Sequence, residues 1–273
     1  MGGRHMGYFF RSPARSRSAI LAVALLSAIG AYAPSVNAAG DAPEIAAQSW
    51  SFSAPFGTFD RAQLQRGFQV YKEVCASCHG LRLLHFRNLG EPGGPEFAEE
   101  AVKALAAEAE VKDGPNDEGE MFDRPARPSD KFPSPFANPQ EARAANNGAN
   151  PPDLSVMAKA RPGGPDYLYA LLTGYAEAPA GVEIADGMNY NKAFPGHQIA
   201  MAPPLDSELV EYSDGTAPTV ENYAKDVSAF LMWAAEPKLE ERHRLGFRFM
   251  IYLALLTVFL YLAKRRIWSD VKH

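Results

Sequence analysis

The sequence predicts a mainly α-helical protein with long irregular loop insertions and one C-terminal transmembrane helix. Apolar residues recur at helical spacing in three segments, strand-like alternation is scarce, and a long apolar run covers residues 245–263. Proline and glycine account for 22 residues each of 273. Between 91 and 152 large apolar residues are few, which favours extended loops over a second hydrophobic core.

The first predicted helix begins near Asp60 and carries the chain into Cys75. Asp60 and Gln63 resemble a capping box, in which two side chains satisfy backbone donors at the start of a helix. Leu64 and Phe68 follow one helical turn apart, so one apolar face can pack into a core.

Two further helices are bounded by residues that start or stop a helix. The second covers about 166–173 and stops at Gly174, because glycine is common just after a helix end. The third starts after Thr219, a favourable N-cap, and ends before Pro237, which has no N–H to continue the hydrogen-bond ladder.

The first 38 residues have the order of a cleavable signal peptide. Four arginines and no acidic residue precede an apolar run from Ala19 to Ala33, and Val36-Asn37-Ala38 follows. A retained anchor is the alternative, but a spanning helix needs roughly 20 apolar residues, more than this run supplies. We therefore expect cleavage near Ala38 and export of a domain at 39–244.

The apolar run at 245–263 is long enough to span a bilayer. Its single charge, Arg248, lies near its start and can extend to the interface, and Trp268 suits the opposite headgroup layer. Basic residues flank both ends, so they do not choose an orientation. The signal peptide predicts an exported N-terminal domain and a cytoplasmic tail at 264–273.

The two cysteines of the chain lie in Cys75-Ala76-Ser77-Cys78-His79. Helix positions three and four apart share a face, so these three functional side chains can reach one ligand. The pattern is the attachment signature of one covalent c-type haem, with thioether bonds to Cys75 and Cys78 and iron bound by His79. A redox dithiol and half of a zinc site are alternatives, but zinc needs about four ligands and no cysteine remains.

The sixth position of such an iron would be filled by methionine, histidine, water or nothing. Met201 is followed by Ala202-Pro203-Pro204, where the prolines exclude a helix and stiffen a loop that can present the sulfur. A methionine that packs in a core is also commonplace. The residues alone leave Met201 open against its rivals, His85 and His197.

Several separated motifs resemble one known family. They are Trp50-Ser51-Phe52, Pro55-Phe56-Gly57, Gln63-Leu64-Gln65-Arg66-Gly67, Val70-Tyr71-Lys72-Glu73-Val74-Cys75, Pro151-Pro152-Asp153-Leu154-Ser155, Leu171-Leu172-Thr173-Gly174-Tyr175 and Met201-Ala202-Pro203-Pro204. Together they are similar to the cytochrome c1 family, from about Trp50 to the C-terminal apolar run. Such agreement is far more specific than C-x-x-C-H alone.

The resemblance implies a c-type cytochrome domain anchored by one C-terminal helix in the quinol:cytochrome c oxidoreductase, the bc1 complex. The haem would accept an electron from the Rieske iron-sulfur protein and pass it to cytochrome c. Quinol chemistry would belong to another subunit, so this chain would not itself make or break bonds, and cytochrome b is expected among its partners. The resemblance also implies a dimeric complex in a bacterial inner membrane, with the haem domain in the periplasm.

The resemblance further implies a set of haem-site residues. Met201 corresponds to the family's sixth ligand, opposite His79. The residues expected to line the haem pocket are Asn146, Pro152, Arg161, Tyr167 and Phe194. A guanidinium at Arg161 could pair with a haem propionate, although a solvated surface arginine would look the same in sequence. Tyr167 and Phe194 would exclude water from the iron, which is one influence on its potential.

The segment 96–123 contains ten acidic residues and two lysines, and the whole chain has a net charge of −5. A basic partner such as cytochrome c would be steered toward this segment, with association slowing as salt rises. Solvated loop acids without a partner are the alternative. We expect no nucleic-acid partner.

Two other functions would use the same haem. One is a membrane-anchored haem enzyme or gas sensor with an open sixth position, which would bind carbon monoxide when reduced. The other is a tethered electron shuttle that works without a complex.

In the electron-transfer function that the resemblance implies, both axial positions of the iron are filled. Electron transfer is then outer-sphere, and Met/His ligation raises the haem potential to suit a late acceptor.

Overall fold

The computed structural model describes residues 43–270, so the predicted signal peptide lies outside the described residues. The prediction of a mainly helical chain is confirmed. The helices are α1 Arg61–Val70, α2 Glu99–Ala107, α3 Pro139–Ala145, α4 Met157–Ala160, α5 Pro165–Thr173, α6 Val220–Ala235 and α7 Leu239–Ile267. Two small antiparallel hairpins pair β1 Glu110–Asp113 with β2 Phe122–Pro125, and β3 Asn189–Tyr190 with β4 Gln198–Ile199.

Helix α1 begins where the sequence predicted, but its capping box is only half formed. The Asp60 side chain accepts a hydrogen bond from the Gln63 N–H at 3.2 Å. The Gln63 side chain turns away and donates to Asp226 at 3.1 Å, because a buried carboxylate on α6 needs a donor. The α-helix ends at Val70, and a π-helical turn, Tyr71–Cys75, continues it.

Helix α6 forms the centre of the core, packing against α1, α4 and α5. Thr219 caps it by accepting a hydrogen bond from the Asn222 N–H at 3.3 Å. Its contact with α1 depends on Gly67, since a Cβ there would lie 2.1 Å from the Asp226 carbonyl oxygen. The Asp226 carboxylate is itself buried and pairs with Arg66 at 2.7 Å. The two helices therefore approach more closely than any side chain at residue 67 would allow.

The other two predicted helices are also confirmed. Helix α5 starts one residue before the predicted position and ends at Thr173, with Gly174 following. A Cβ at Gly174 would lie 2.5 Å from the Ala170 carbonyl oxygen, which explains why glycine ends this helix. Helix α6 ends at Ala235, two residues before Pro237.

The segment between 91 and 152 is more structured than the sequence predicted. It contains α2, the β1–β2 hairpin and α3. Alanine fills much of α2, so its helical pattern has few large apolar residues. Its buried Val102 and Ala106 join the main core, and Phe97 meets Phe68 edge to face at 5.6 Å. The segment is therefore less irregular than expected, although long irregular stretches remain between these elements and no second core forms among the described residues.

Helix α7 has 29 residues and contains the whole predicted run at 245–263. It is long and apolar enough to cross a membrane, and most of its large apolar side chains are exposed. The helix starts six residues before this apolar run. Its first turn packs on the domain, where Leu239 is buried and Glu240 accepts hydrogen bonds of 2.6 and 3.0 Å from Arg61. The helix continues without a break across the predicted boundary at residue 245.

Candidate haem site

The C-x-x-C-H segment follows the π-helical turn at the end of α1. The Cys78 and His79 N–H groups both donate to the Cys75 carbonyl oxygen, at 3.1 and 2.9 Å. All three side chains are half-buried, and both cysteines are free thiols. A π-helical turn often marks a functional position, and here it ends at Cys75, the first residue of the motif.

The His79 ring is oriented by a backbone carbonyl. Its Nδ1 lies 2.7 Å from the Pro152 carbonyl oxygen, and because a carbonyl only accepts, Nδ1 carries the proton and Nε2 keeps its lone pair. Burial lowers the pKa of His79, although the bond to Pro152 acts in the opposite direction. A neutral imidazole with a fixed tautomer is the form that ligates metals.

The backbone after His79 is hydrogen-bonded to the segment that follows Pro152. The Leu154 N–H donates to the Gly80 carbonyl oxygen at 2.9 Å. The Asp153 carboxylate accepts from the Arg82 N–H at 2.9 Å and from the Ser155 N–H at 3.0 Å. The sequence motif containing Asp153 was singled out, but its contact with Arg82 was not, because that contact joins residues 71 positions apart.

The pKa of the Cys75 thiol differs from that expected of a redox-active dithiol. Burial raises the pKa of Cys75 to about 12, with the charge of Cys78 acting in the same direction. Redox-active C-x-x-C pairs have a lowered thiol pKa instead. The structure therefore gives no support to the dithiol alternative.

Met201 follows β4 in a loop and is half-buried. Its carbonyl oxygen accepts hydrogen bonds from the Tyr175 hydroxyl at 3.0 Å and from the Asn189 side-chain amide at 3.3 Å. Neither partner was recognised from the sequence. These contacts hold the backbone at Met201, in addition to the stiffening by the prolines that follow it.

Asn191 makes hydrogen bonds that hold together the chain segments next to the Met201 loop. It is fully buried, and its Oδ1 accepts from the Ala193 and Phe194 N–H groups at 2.9 and 3.2 Å. Its side-chain amide donates to the Leu171 carbonyl oxygen at 2.8 Å, which ties the turn to α5. Its backbone N–H donates to the His197 carbonyl oxygen at 2.9 Å.

The two rival histidines have other contacts. His197 stacks on Tyr190 with ring centroids 5.6 Å apart, and its Nδ1 lies 3.2 Å from the Asn191 carbonyl oxygen. His85 precedes the 3-10 helix Phe86–Gly90 and forms a β-bridge with Lys131. Each therefore has a structural role in its own turn.

The structure brings some of the predicted pocket residues together. Arg161 is exposed, and its charge acts on the hydroxyl of buried Tyr167, where burial nonetheless dominates and raises the pKa. Tyr167 in turn interacts electrostatically with Tyr175, the residue that holds the Met201 carbonyl. Pro152 contacts His79 through its carbonyl.

Asn146 and Phe194 make no hydrogen bond to His79 or Met201 within residues 43–270. The Asn146 side chain donates to the Ala142 carbonyl oxygen at 2.8 Å and closes the end of α3. Phe194 is half-buried, and its backbone is held by Asn191.

A mainly helical domain that presents C-x-x-C-H from a helix end and a methionine from a proline-stiffened loop has the makeup of a c-type cytochrome. The sequence model of the Cytochrome C1 family matches residues 50–271. The chain belongs to the cytochrome c1 family, and this membership implies a haem cofactor.

Relatives of this chain occur in bacteria and mitochondria. A cytochrome c1 of Rhodospirillum rubrum is 47% identical, over 94% of this chain and 98% of that protein. A mitochondrial cytochrome c1 haem protein of Schizosaccharomyces pombe is also 47% identical, over 94% of this chain and 84% of its own length. A protein of Bradyrhizobium diazoefficiens named cytochrome b/c1 is 48% identical over 92% of this chain, which spans 40% of its length.

Proposed function

We propose that this protein is a membrane-anchored monohaem cytochrome that accepts an electron from the Rieske iron-sulfur protein and passes it to cytochrome c within the bc1 complex. The proposal rests chiefly on the C-x-x-C-H segment, where the Pro152 carbonyl leaves the His79 Nε2 free, in a chain of the cytochrome c1 family. Relatives named cytochrome b/c1 and cytochrome b-c1 complex catalytic subunit support membership of that complex.

The residues present fit a covalently attached c-type haem. Cys75 and Cys78 are free, half-buried thiols that would form the two thioether bonds. His79 offers a neutral imidazole, and Met201 offers a thioether from a loop whose backbone is held by two hydrogen bonds. When bound, the haem supplies exchange of a single electron.

The surrounding residues would protect and tune this site. Buried Tyr167 and half-buried Phe194 would exclude water, which is one influence on a haem potential. Exposed Arg161 would pair with a propionate, because a guanidinium forms bidentate bonds to carboxylates. The Pro152 carbonyl would keep the His79 ring in one orientation, so that little reorganisation accompanies electron transfer.

The proposed topology is a single span with the haem domain in the periplasm of a bacterial cell. Residues 1–38 would be removed as a signal peptide, 39–244 would form the exported domain, 245–263 would span the membrane and 264–273 would remain cytoplasmic. The apolar surface of α7 supports the span. The orientation follows from the signal peptide, since both flanks of α7 are basic.

The acidic residues of 96–123 form an acidic surface that adjoins the proposed haem attachment at Glu108. Five acids of 96–123 pair with basic residues of this chain: Glu96, Glu99, Glu108, Asp113 and Asp123. The pair between Glu108 and Lys72 spans 2.5 Å and joins the end of α2 to the π-helical turn that ends at Cys75. Asp117, Glu118 and Glu120 are exposed at the β1–β2 hairpin and make no ion pair among the described residues. We propose that this surface steers a basic cytochrome c toward the haem.

Purification of the native protein under mild detergent tests the assembly and the open-site alternative together. The proposal expects a haem-bearing chain that co-purifies with cytochrome b and a Rieske protein, and whose reduced form does not bind carbon monoxide. A lone subunit would favour the tethered shuttle. Carbon monoxide binding to the reduced, undenatured protein would favour an enzyme or sensor with an open sixth position.

A further inference from the structure

Residues 43–50 pack against the start of α5 without forming a helix or a strand. Within this N-terminal segment, Trp50 is buried and Ile45 and Gln48 are half-buried, whereas the residues between them are exposed. The Ile45 side chain packs against the main core. Because no helical or strand ladder holds the segment, its position depends on individual contacts with the rest of the domain.

Asp166, in the first turn of α5, joins the N-terminal segment to this helix. Its Oδ1 accepts a hydrogen bond from the Gln48 N–H at 3.0 Å and another from the Trp50 Nε1–H at 2.6 Å, and these donors lie 118 and 116 positions earlier in the chain. The Trp50 ring also stacks on Phe52, with centroids 5.5 Å apart, and the Lys225 Nζ lies 5.1 Å from its centroid. One carboxylate therefore holds a segment whose last ring is itself well packed.

The N-terminal segment also meets the tight loop between α4 and α5. Gly163 and Gly164 in this loop have φ values of 82° and 52°, in the left-handed region that favours glycine. A Cβ at Gly163 would lie 3.3 Å from the Tyr167 Cβ and 3.9 Å from the Ile45 Cγ2. The loop begins at Arg161 and leads into Tyr167, so it connects two of the residues expected to line the haem pocket.

We propose that Asp166 is a positioning residue for the haem. It acts by holding the N-terminal segment against the loop that carries Arg161 and Tyr167, and it does not itself contact the haem. The inference rests on the proposed function, because it needs a haem beside these two residues.

Release of the N-terminal segment should lower the haem potential. Without the Asp166 contacts, Ile45 no longer covers the loop at Gly163, and water gains access to the side of Tyr167. Oxidation adds a positive charge at the iron, so added water and a less closely held Arg161 guanidinium both favour the oxidised form. A lower midpoint potential is the expected result.

A purely structural role for Asp166 makes a different prediction. Its carboxylate lies in the first turn of α5, where negative charge stabilises a helix without any effect on a haem. Asparagine and leucine separate the two roles, because both are uncharged and similar in size. Only asparagine keeps an oxygen that can accept from Gln48 and Trp50.

The test measures the haem midpoint potential, the melting temperature and the amide hydrogen exchange of residues 43–50 in the holoprotein complex. We expect Asp166→Leu to make this exchange at least about tenfold faster and to lower the potential. Asp166→Asn should keep both close to their native values.

Glu240→Gln is the matched control. Like Asp166, Glu240 accepts from one backbone N–H, that of Phe59 at 2.9 Å, and from one side chain, that of Arg61 at 2.6 Å. Its contacts hold the start of α7 and not the loop before α5. The control should therefore lower the melting temperature and leave the potential unchanged.

A second variant keeps the proposal testable if Asp166→Leu impairs folding. Trp50→Phe keeps an aromatic ring beside Phe52 but removes the indole N–H, and we expect smaller changes in the same directions. An unchanged potential despite faster exchange, or an equal fall of the potential in Glu240→Gln, would overturn the proposal. Either result would leave the native potential high, whereas failure of the proposed function would appear as a low native potential that Met201→Leu does not change.

Discussion

The His79 Nδ1 atom lies 2.7 Å from the carbonyl oxygen of Pro152, a residue 73 positions further along the chain. This contact assigns the ring proton to Nδ1 and leaves the Nε2 lone pair available to ligate the proposed iron. The Tyr71 hydroxyl donates to the His79 carbonyl oxygen at 3.0 Å, and the Leu154 N–H holds Gly80 at 2.9 Å. The orientation of the histidine is therefore set by two chain segments, and the C-x-x-C-H spacing alone does not determine it.

Replacing Asn191 with alanine should loosen the Met201 loop. The change removes the acceptor of the Ala193 and Phe194 N–H groups and the donor to Leu171. Leaving such groups unsatisfied costs about 1–3 kcal/mol each, so we expect a lower melting temperature and partial loss of the long-wavelength ferric absorbance band of sulfur-ligated haem. Asn222→Ala is the control, because it changes an asparagine on α6 and should leave that band intact.

Gly67→Ala should strongly destabilise the domain. Its Cβ would lie 2.1 Å from the Asp226 carbonyl oxygen, so α1 and α6 would have to separate, at a cost of about 1–3 kcal/mol or more. Thermal unfolding followed by circular dichroism measures the change. Gly246→Ala, where a Cβ meets nothing within 4 Å, should not lower the melting temperature; equal destabilisation by both variants would contradict this packing account.

The contact between Glu240 and Arg61 should make stability depend on acidic pH. Burial acts to raise the pKa of Glu240, but hydrogen bonds from Arg61 and the Phe59 N–H outweigh it and lower the pKa below its ordinary 4.5. A lowered pKa stabilises the fold above the ordinary value, and this contribution is lost as the pH falls through the lowered one. Between pH 7 and pH 3, the melting temperature of Glu240→Gln should therefore fall less than that of the wild type. Glu241→Gln, at an exposed position, should behave like the wild type.

Neutralising the acidic surface should weaken the salt dependence of cytochrome c reduction. The five substitutions are at Glu108, Glu110, Asp117, Glu118 and Glu120, each replaced by its amide. Removing these charges takes away long-range steering, so the rate should be lower at low salt and should fall less as salt is added. Stopped-flow reduction across a salt series measures the slope. Amides at Glu44, Glu221 and Glu241 are the control, and an unchanged slope in the first variant would reject the docking role.

Helices were predictable from the sequence where a clear apolar stripe met a clear end signal. Asp60, Thr219 and Gly174 mark such ends, and each lies within a residue of the observed boundary. Helix α2 was missed because its alanines bury little area and give a weak stripe. The π-helical turn was missed because Tyr71–Cys75 satisfies the same spacing as an α-helix.

The candidate site also contains residues that the sequence predicted and residues that it did not. Cys75, Cys78 and His79 could be named because C-x-x-C-H is a local pattern. Met201 and the expected pocket residues were named only through the resemblance to the cytochrome c1 family. The residues that support them could not be named: Asn191 looks like an ordinary loop asparagine until its burial is known, and Tyr175 meets Met201 across 26 positions. Such contacts depend on the fold, which periodicity does not specify.

The most direct test of the central claim is a redox titration of the haem absorbance in isolated membranes, comparing the native protein with Met201→Leu. Leucine keeps the size and apolar character of the side chain but cannot ligate iron, and methionine ligation raises a haem potential. The account predicts a high native midpoint potential that drops sharply in the variant. A low native potential that the substitution leaves unchanged would contradict Met201 ligation and the proposed electron-transfer function.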